Sequence, residues 1–463
     1  MAREGCRIAV IGAGFSGVMT AIHLLWRCGS GERVYLVERG TRIGPGLAYG
    51  TGNPRHLVNV RTENMSAFAD EPDHFLRWLE ALPADKRTDA GERTIAGTFV
   101  RRAVFGAYIQ DLLCGAIARQ DGADNLYLVT DEATALRQVH DGFLLETGSG
   151  RSYPVDAVVL ALGNVAETKQ AQPGYVADPW SPAATAPLDP SRPVVMLGTG
   201  LSMVDLCLAL VEQGFPGPIH AISRRGLLPL GHAPSQPWDG LKLDGDDSRS
   251  LLALFQAVRR EVRRGAAQGA GWRGVVDAVR PHAQSLWVGL SQADKARFVR
   301  HVRPWWEVHR HRMAPPVAAT IASLRAAGTL TVDAGRIAAI DSAAHGLEVR
   351  WRPKGQADER SILAQRVIDC TGAMGNPARS GDPLIRQLLA DRMVRPGTLD
   401  LGLDSDAWGS VLDAGGRPWS HLFAVGPLTR GALWEITAVP EIRAQTEQVA
   451  ERALAVARRR AAA

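Results

Sequence analysis

One pattern constrains this chain more than any other: a glycine turn that occurs twice, each time at the end of an apolar run. The first copy reads Ile8-Ala9-Val10-Ile11-Gly12-Ala13-Gly14-Phe15-Ser16-Gly17 and the second Val194-Val195-Met196-Leu197-Gly198-Thr199-Gly200-Leu201-Ser202-Met203. A buried strand running into two closely spaced glycines is the pattern of a strand that turns sharply into a helix beneath a dinucleotide pyrophosphate. In the first copy Gly12 permits the turn, Gly14 lets the backbone approach the phosphates, and Gly17 lets helix and strand pack closely. The pyrophosphate then rests on the helix N-terminus, where unpaired N–H groups and the helix dipole favour negative charge.

The two copies differ in charge. Glu38 closes the strand Val34-Tyr35-Leu36-Val37, and Arg224 lies as far beyond Gly198 as Glu38 lies beyond Gly12. A carboxylate accepts hydrogen bonds from a ribose diol and repels a 2′-phosphate, so the first site suits FAD or NAD. Arg224 and Arg225 suit a 2′-phosphate, because guanidinium groups bind it in a bidentate manner. The second site is therefore read as a site for NADPH, with NADH possible. It has Met203 where the third glycine would stand, which implies looser helix–strand packing or a shifted pyrophosphate, and Ser202 is placed to cap the helix or touch phosphate.

With 463 residues the chain exceeds one hydrophobic core and divides into two or three domains. The expected boundaries are 1–190 for the first part of a FAD-binding domain, 191–372 for an NAD(P)H-binding domain, and 373–463 for the second part of the FAD-binding domain. A net charge of +5 is small for this length and does not predict nucleic-acid binding. The five cysteines, Cys6, Cys28, Cys114, Cys207 and Cys370, are scattered and odd in number, so no disulfide framework is expected. The chain also lacks the closely spaced cysteine pair that a flavoprotein disulfide reductase needs beside its flavin. The first strand begins near Arg7, leaving no room for a signal peptide, and no apolar run approaches the roughly 20 residues that span a bilayer. These features lead to the expectation of a cytoplasmic protein without membrane partners.

A second repeat supports the duplication. Strands are expected at Leu126–Val129, Thr134–Val139 and Gly142–Thr147, ending in Ala157 to Gly163; later, Leu330–Val332, Ile337–Ile340 and Leu347–Trp351 follow in the same order and end in Arg366 to Gly372. Each glycine-turn half carries a small antiparallel insertion and then a buried strand closed by Gly163 or Gly372. Helices are expected at Ser16–Trp26, Asp73–Leu79 and Phe99–Leu113, and the stretch from Gly44 to Ala69 reads as a long loop. A helical block at about 246–326 has no place in the basic fold, and substrate recognition is expected there. The fold class is α/β: two Rossmann-like dinucleotide-binding domains with small antiparallel β insertions and a helical insertion.

With these residues placed, the chain resembles the two-dinucleotide-binding flavoproteins. Within them it is similar to a bacterial family of FAD/NAD(P)-binding proteins related to class B flavin monooxygenases and N-hydroxylating monooxygenases, with urate hydroxylase-like members. The segments that carry the resemblance are Gly12 to Gly17, Gly44 to Thr51, Leu57 to Val60 with Asn64 to Phe68, Gly198 to Asp205, Trp305 to Pro316, and Gly426 to Gly431 through Trp434-Glu435 to Arg443. The resemblance implies that NAD(P)H reduces FAD, and that the reduced flavin captures O2 as a C4a-hydroperoxide that hydroxylates a small polar substrate. Urate is the first substrate to consider. The alternatives are an amino-acid or amine N-hydroxylase, a dehydrogenase with a non-oxygen acceptor, and a non-catalytic NADP(H)-binding regulator.

The resemblance also implies that Asn59, Asn64 and Met65 contact the flavin ring and that Gly426 belongs to the C-terminal FAD segment. Pro427 follows it where many related flavoproteins have an aspartate. Thr437 and Ala438, at the start of the last helix, would offer backbone N–H groups to the flavin pyrimidine edge, near Arg430 and Glu435. In Trp305-Trp306-Glu307-Val308-His309-Arg310-His311-Arg312, an anionic-ligand site and ordinary helix packing both remain open. No metal site is expected, because no cysteine pair or carboxylate set completes the His309/His311 spacing. Cys370 is read as a small buried residue, and the tail Ile442–Arg460 as a basic amphipathic closing helix. No triad or carboxylate pair stands out, so no catalytic residue is assigned and the oligomeric state is left open.

Overall fold

The computed structural model describes residues 5–83, 97–119, 125–140, 142–169, 172–245, 247–372, 375–397 and 399–462. The chain divides into two compact units, one formed by residues 1–52, 60–168 and 373–463 and the other by residues 53–59 and 169–372.

The first unit begins with β1 (Arg7–Ile11), α1 (Phe15–Leu25) and β2 (Arg33–Glu38). After α2 (Arg102–Ala118) come β3 (Leu126–Thr130), β4 (Ala133–Val139), β5 (Gly142–Thr147), β6 (Ser152–Val155) and β7 (Ala157–Leu160). The second unit contains β8 (Tyr175–Val176), β9 (Val194–Leu197), α3 (Leu201–Glu212) and β10 (Ile219–Ser223). Its helical insertion includes α4 (Leu251–Ala267), α5 (Gly271–Val279) and α6 (Arg303–Arg310). There follow β11 (Leu330–Ala343), β12 (Gly346–Pro353), β13 (Arg360–Ala364) and β14 (Arg366–Asp369). The chain then returns to the first unit with β15 (Ser410–Leu412), β16 (Pro418–Ala424) and α7 (Val439–Ala461).

The first unit's main sheet has the order β15-β16-β7-β1-β2-β3. Its strands from β16 to β3 run parallel, and β15 is antiparallel at the edge. From Ile8 onward β1, and all of β7, are apolar and buried on both faces, as a parallel sheet covered by helices requires. The second unit repeats this order as β11-β10-β9-β14-β8, all parallel, continued by antiparallel β12 and β13. The expected duplicated dinucleotide-binding architecture is thus present, one sheet in each unit.

Three details differ from the sequence reading. The insertion of the first unit is a separate sheet, β4-β5-β6, whereas in the second unit Leu330–Val332 and Ile337–Ile340 are one strand. Strand β11 pairs with β10 through Ala334 and with β12 from Gly335 onward, so the second insertion grows out of the main sheet. Residues 169–190, expected to end the first domain, cluster with the second unit, where β8 pairs with β14. The stretch 44–69 contains short helical turns at Gly46–Tyr49 and Thr62–Asn64. Among the described residues no helix is long and apolar enough to cross a membrane.

Candidate functional site

In the first unit, the C-terminal ends of β2, β1, β7 and β16 lie side by side, and the predicted residues gather there. Gly12 takes φ +98°, and a Cβ on it would lie 2.5 Å from Ala161 O at the end of β7. A Cβ on Gly17 would sit far inside contact distance of Gly12 O, so a residue without a side chain is required where α1 crosses the turn. The first helical hydrogen bond runs from Val18 N–H to Gly14 O at 2.9 Å. The amides of Phe15, Ser16 and Gly17 therefore have no acceptor within the helix, as at any helix start.

Glu38 ends β2 beside this turn and accepts from Ala13 N–H at 2.7 Å and from Gly40 N–H at 3.0 Å. The loop from Gly44 covers the turn: Gly44 N–H donates to Ala13 O at 2.8 Å, and a Cβ on Gly46 would lie 2.9 Å from Gly14 Cα. Phe15 is buried against Phe105 and Tyr49, with ring centroids 5.9 and 6.5 Å away. On the far side, Gly426 (φ +72°) follows β16; a Cβ there would lie 2.5 Å from Ser16 Oγ. The Gly426 N–H donates to Gln445 Oε1 at 2.7 Å, which ties the turn to α7. Gly163 (φ +68°) follows β7 with open space around it.

Asn64, Met65 and Thr437 have distinct surroundings in the same unit. Asn64 is exposed, whereas Met65 is 2% exposed and packed within the core. The N–H of Thr437 donates to Glu435 O at 2.6 Å, closing a tight turn in which Glu435 has φ +71°. That amide is engaged locally rather than directed outward. Asn59, expected beside Asn64, belongs instead to the second unit, where its carbonyl oxygen is 3.0 Å from His232 Nε2.

The second unit reproduces the turn. Gly198 takes φ +97°, and a Cβ on it would lie 2.6 Å from Cys370 O at the end of β14. Gly200 is the N-cap of α3, Ser202 is half-buried in its first turn, and Val204 N–H opens the helical bonding to Gly200 O at 3.2 Å. Met203 is fully buried, with its Sδ 3.4 Å from Cys207 Sγ. The close approach made by Gly17 is closed to a residue with a Cβ, so the start of α3 must pack differently.

Strand register identifies a residue that spacing alone missed. Ile11 pairs with Val37 and Leu197 with Ile222, so the structural counterpart of Glu38 is Ser223, not Arg224. Ser223 Oγ is 2.9 Å from Thr199 Oγ1 and accepts from Gly226 N–H at 3.0 Å. Arg224 follows, exposed, while Arg225 Nη2 donates to Arg300 O and His301 O at 3.4 and 3.5 Å. The acidic position is thus a hydroxyl followed by two arginines. The connection from α3 to β10 is one residue shorter than its counterpart, which displaces the spacing match by one.

Gly372 (φ +94°) follows β14. Asp369 at the end of that strand is buried and bound by Lys169 Nζ, Tyr175 OH at 2.9 Å and Thr371 Oγ1 at 2.5 Å. Burial would raise its pKa, but the hydrogen bonds from Lys169 and Thr371 outweigh this and hold the carboxyl below the usual range.

In the Trp305–Arg312 segment Trp305 is exposed, whereas Arg312 and His309 are engaged in packing. Arg312, 2% exposed, forms a two-pronged pair with Asp277 and lies over the Trp272 ring, which His309 also meets edge-on at 4.8 Å. Burial pushes the thiols of Cys6, Cys28 and Cys207 up to about 12 and raises that of Cys370, the reverse of what a reactive thiolate needs.

Known proteins share this fold. Residues 9–165 match the FAD-NAD(P)-binding family model. No curated protein matches the chain at the level of sequence. Among solved structures, the fold is similar to that of L-lysine 6-monooxygenase from Pseudomonas syringae, at 16% identity and a TM-score of 0.62, covering 98% of this chain and 99% of that one. It is also similar to ornithine N-hydroxylase from Kutzneria sp. 744, described with reduced FAD, NADP+ and L-ornithine, at 14% identity, a TM-score of 0.59 and coverage of 98% and 99%. A bacillithiol disulfide reductase from Staphylococcus aureus shares the fold at 10% identity, a TM-score of 0.55 and the same coverage. At these identities the likeness establishes the fold, and the chemistry has to be argued from the sites.

Proposed function

We propose that this chain is a FAD-dependent, NADPH-consuming monooxygenase that hydroxylates a small amine or amino acid on nitrogen, with FAD held by the first unit and NADPH by the second. The observation that carries this reading is the pair of turns with one register and opposed neighbours, Glu38 in the first unit and Ser223 followed by Arg224 in the second. A carboxylate beside the first turn suits an unphosphorylated ribose; a hydroxyl and a guanidinium beside the second suit a 2′-phosphate.

The first unit's residues fit FAD. The amides of Phe15, Ser16 and Gly17 would donate to the pyrophosphate, Gly12 and Gly14 would leave room for it, and Glu38 would bind the adenosine ribose. In the second unit Gly198, Gly200 and Ser202 would take the NADPH pyrophosphate, and Ser223, Arg224 and Arg225 the 2′-phosphate. Bound FAD supplies two-electron exchange with NADPH and activation of O2. The balanced reaction is substrate N–H + O2 + NADPH + H⁺ → substrate N–OH + H2O + NADP⁺. This assigns the protein the tasks of binding, orientation and exclusion of water, consistent with the absence of a recognisable triad in the sequence.

N-hydroxylation takes precedence over urate for two reasons. Two proteins sharing this fold over nearly their full length act on ornithine or lysine. The aromatic and basic segment in which an anionic-ligand site stayed open has its last arginine, Arg312, committed to Asp277 and Trp272. A dehydrogenase with a non-oxygen acceptor is the second reading, because a disulfide reductase shares the fold.

The nucleotide assignment is tested by titrating NADP⁺ and NAD⁺ into the wild-type protein, Ser223→Glu and Arg224→Ala. The expected result is at least a tenfold loss of NADP⁺ affinity in each variant, with a smaller change for NAD⁺. Unchanged preference in both variants would remove the 2′-phosphate assignment.

A further inference from the structure

A small depression in the first unit lies where the chain leaves two adjacent strands. Asn164 follows β7, Pro427, Leu428 and Arg430 follow β16, and Gly375 and Gly402 are among the other residues of the wall. Arg430 is 9% exposed, with its guanidinium 4.5 Å from the centroid of the Trp434 ring. Among the described residues, the others that line the depression are neutral.

The sheet order says which part of a dinucleotide would reach this place. Glu38 ends β2, the glycine turn ends β1, and the depression lies beyond the ends of β7 and β16, on the opposite side of β1 from Glu38. Neighbouring strands are about 4.8 Å apart, so β2 and β16 are separated by about 14 Å across the sheet edge. A dinucleotide with its adenosine ribose at Glu38 and its pyrophosphate at Gly12–Gly17 therefore extends its other half towards β7 and β16. For FAD that half is the flavin.

We propose that Arg430 is the positive charge that sets the reduction potential of the bound flavin; the inference rests on the assignment of FAD to the first unit. Two-electron reduction with uptake of one proton leaves the flavin ring anionic. A fixed cation at that end of the cofactor stabilises the reduced form more than the oxidised one, which raises the potential. The low exposure of Arg430 keeps water from screening the charge, and stacking on Trp434 holds the guanidinium in place. Arg430 is thus a tuning residue, acting on the cofactor through its charge.

The experiment measures the midpoint potential of FAD on the purified holoprotein for the wild type, Arg430→Gln and Arg430→Lys, with FAD affinity and thermal unfolding measured alongside. The proposal expects Arg430→Gln to shift the oxidised–reduced equilibrium at least tenfold towards the oxidised form, a drop of about 30 mV or more for a two-electron couple. Arg430→Lys, which keeps the charge, should retain most of the wild-type value. The wild type alone gives an independent readout. Its potential should keep the slope of one proton per two electrons to a lower pH than free FAD does, because the cation favours the anionic reduced ring. A folded Arg430→Gln holoprotein with unchanged potential, or a wild-type slope that breaks where free FAD does, overturns the proposal and leaves the FAD assignment intact. A wild-type protein that takes up no FAD overturns both.

Discussion

At the scale of single residues, the glycine turns show how little freedom a dinucleotide site allows. Gly17 cannot carry a Cβ without meeting the carbonyl of Gly12, whereas Gly52 has open space around it. Gly17→Ala is expected to destabilise the protein by about 3 kcal/mol, a typical overpacking penalty, and Gly52→Ala to leave the denaturation midpoint within error. Equal losses at both positions in chemical unfolding would contradict the packing argument. Much of this site was legible in the sequence, because Gly12, Gly14, Gly17 and Glu38 are defined by local chemistry. Ser223 was not. Counting from Gly198 selects Arg224, and only the pairing of Leu197 with Ile222 reveals that the connection is one residue shorter. Nor does the sequence show that neighbours at 59 and 60 belong to different units, because a continuous motif carries no mark of that division.

At the scale of elements, periodicity located the helices well, and pairing decided what it could not. Strand β11 joins the two pieces expected at Leu330–Val332 and Ile337–Ile340, with Gly335 between them. In the sheet, a Cβ at that position would lie 2.7 Å from Arg352 O, so the glycine marks the close approach of β12 and the strand runs on. Strand β6 was missed because Ser152-Tyr153-Pro154-Val155 is short and contains proline, a residue tolerated at a sheet edge. The basic tail is a closing helix. The inner face of α7, including Val449, Ala453 and Leu454, is buried, and its outer face exchanges ion pairs with Arg27 through Glu447 and Glu451, both at 2.9 Å. These pairs are largely exposed and contribute little next to the apolar face. Leu454→Ala should lower unfolding free energy by about 3 kcal/mol, and Glu451→Gln by less than about 0.5 kcal/mol. Comparable losses from the two would show that charge, not burial, seats the helix.

At the scale of the whole molecule, two buried histidines of the first unit set an acid limit. Burial lowers His23 to about 4, with Arg27 adding to the effect and Glu447 opposing it; burial and then Arg460 lower His421 to about 4. His421 is stacked on Phe143, with ring centroids 4.4 Å apart. The ordinary value is 6.5, so both rings are neutral in the folded protein while the unfolded chain takes up protons first. Stability is therefore full above about pH 6.5 and declines towards pH 4, by up to about 1.4 kcal/mol per pH unit for each histidine. Denaturant titrations at pH 7, 6 and 5 should show this slope, and His421→Phe should make it shallower. A variant with the wild-type slope would show that His421 titrates normally. The duplicated architecture was legible at this scale because each half repeats the same order of turn, insertion and closing strand. The reaction was not, because one fold serves both hydroxylases and a disulfide reductase.

The most direct test of the account is therefore made on the holoprotein under labelled oxygen. FAD-loaded protein is supplied with NADPH and ¹⁸O2, together with a panel of basic amino acids, simple amines and urate, and the products are read by mass spectrometry. The account predicts that at least one amine or amino acid accelerates NADPH oxidation and gains a single ¹⁸O atom. Incorporation into urate alone would contradict the choice of N-hydroxylation. NADPH oxidation that no substrate stimulates, proceeding only with an artificial electron acceptor, would contradict the monooxygenase reading itself.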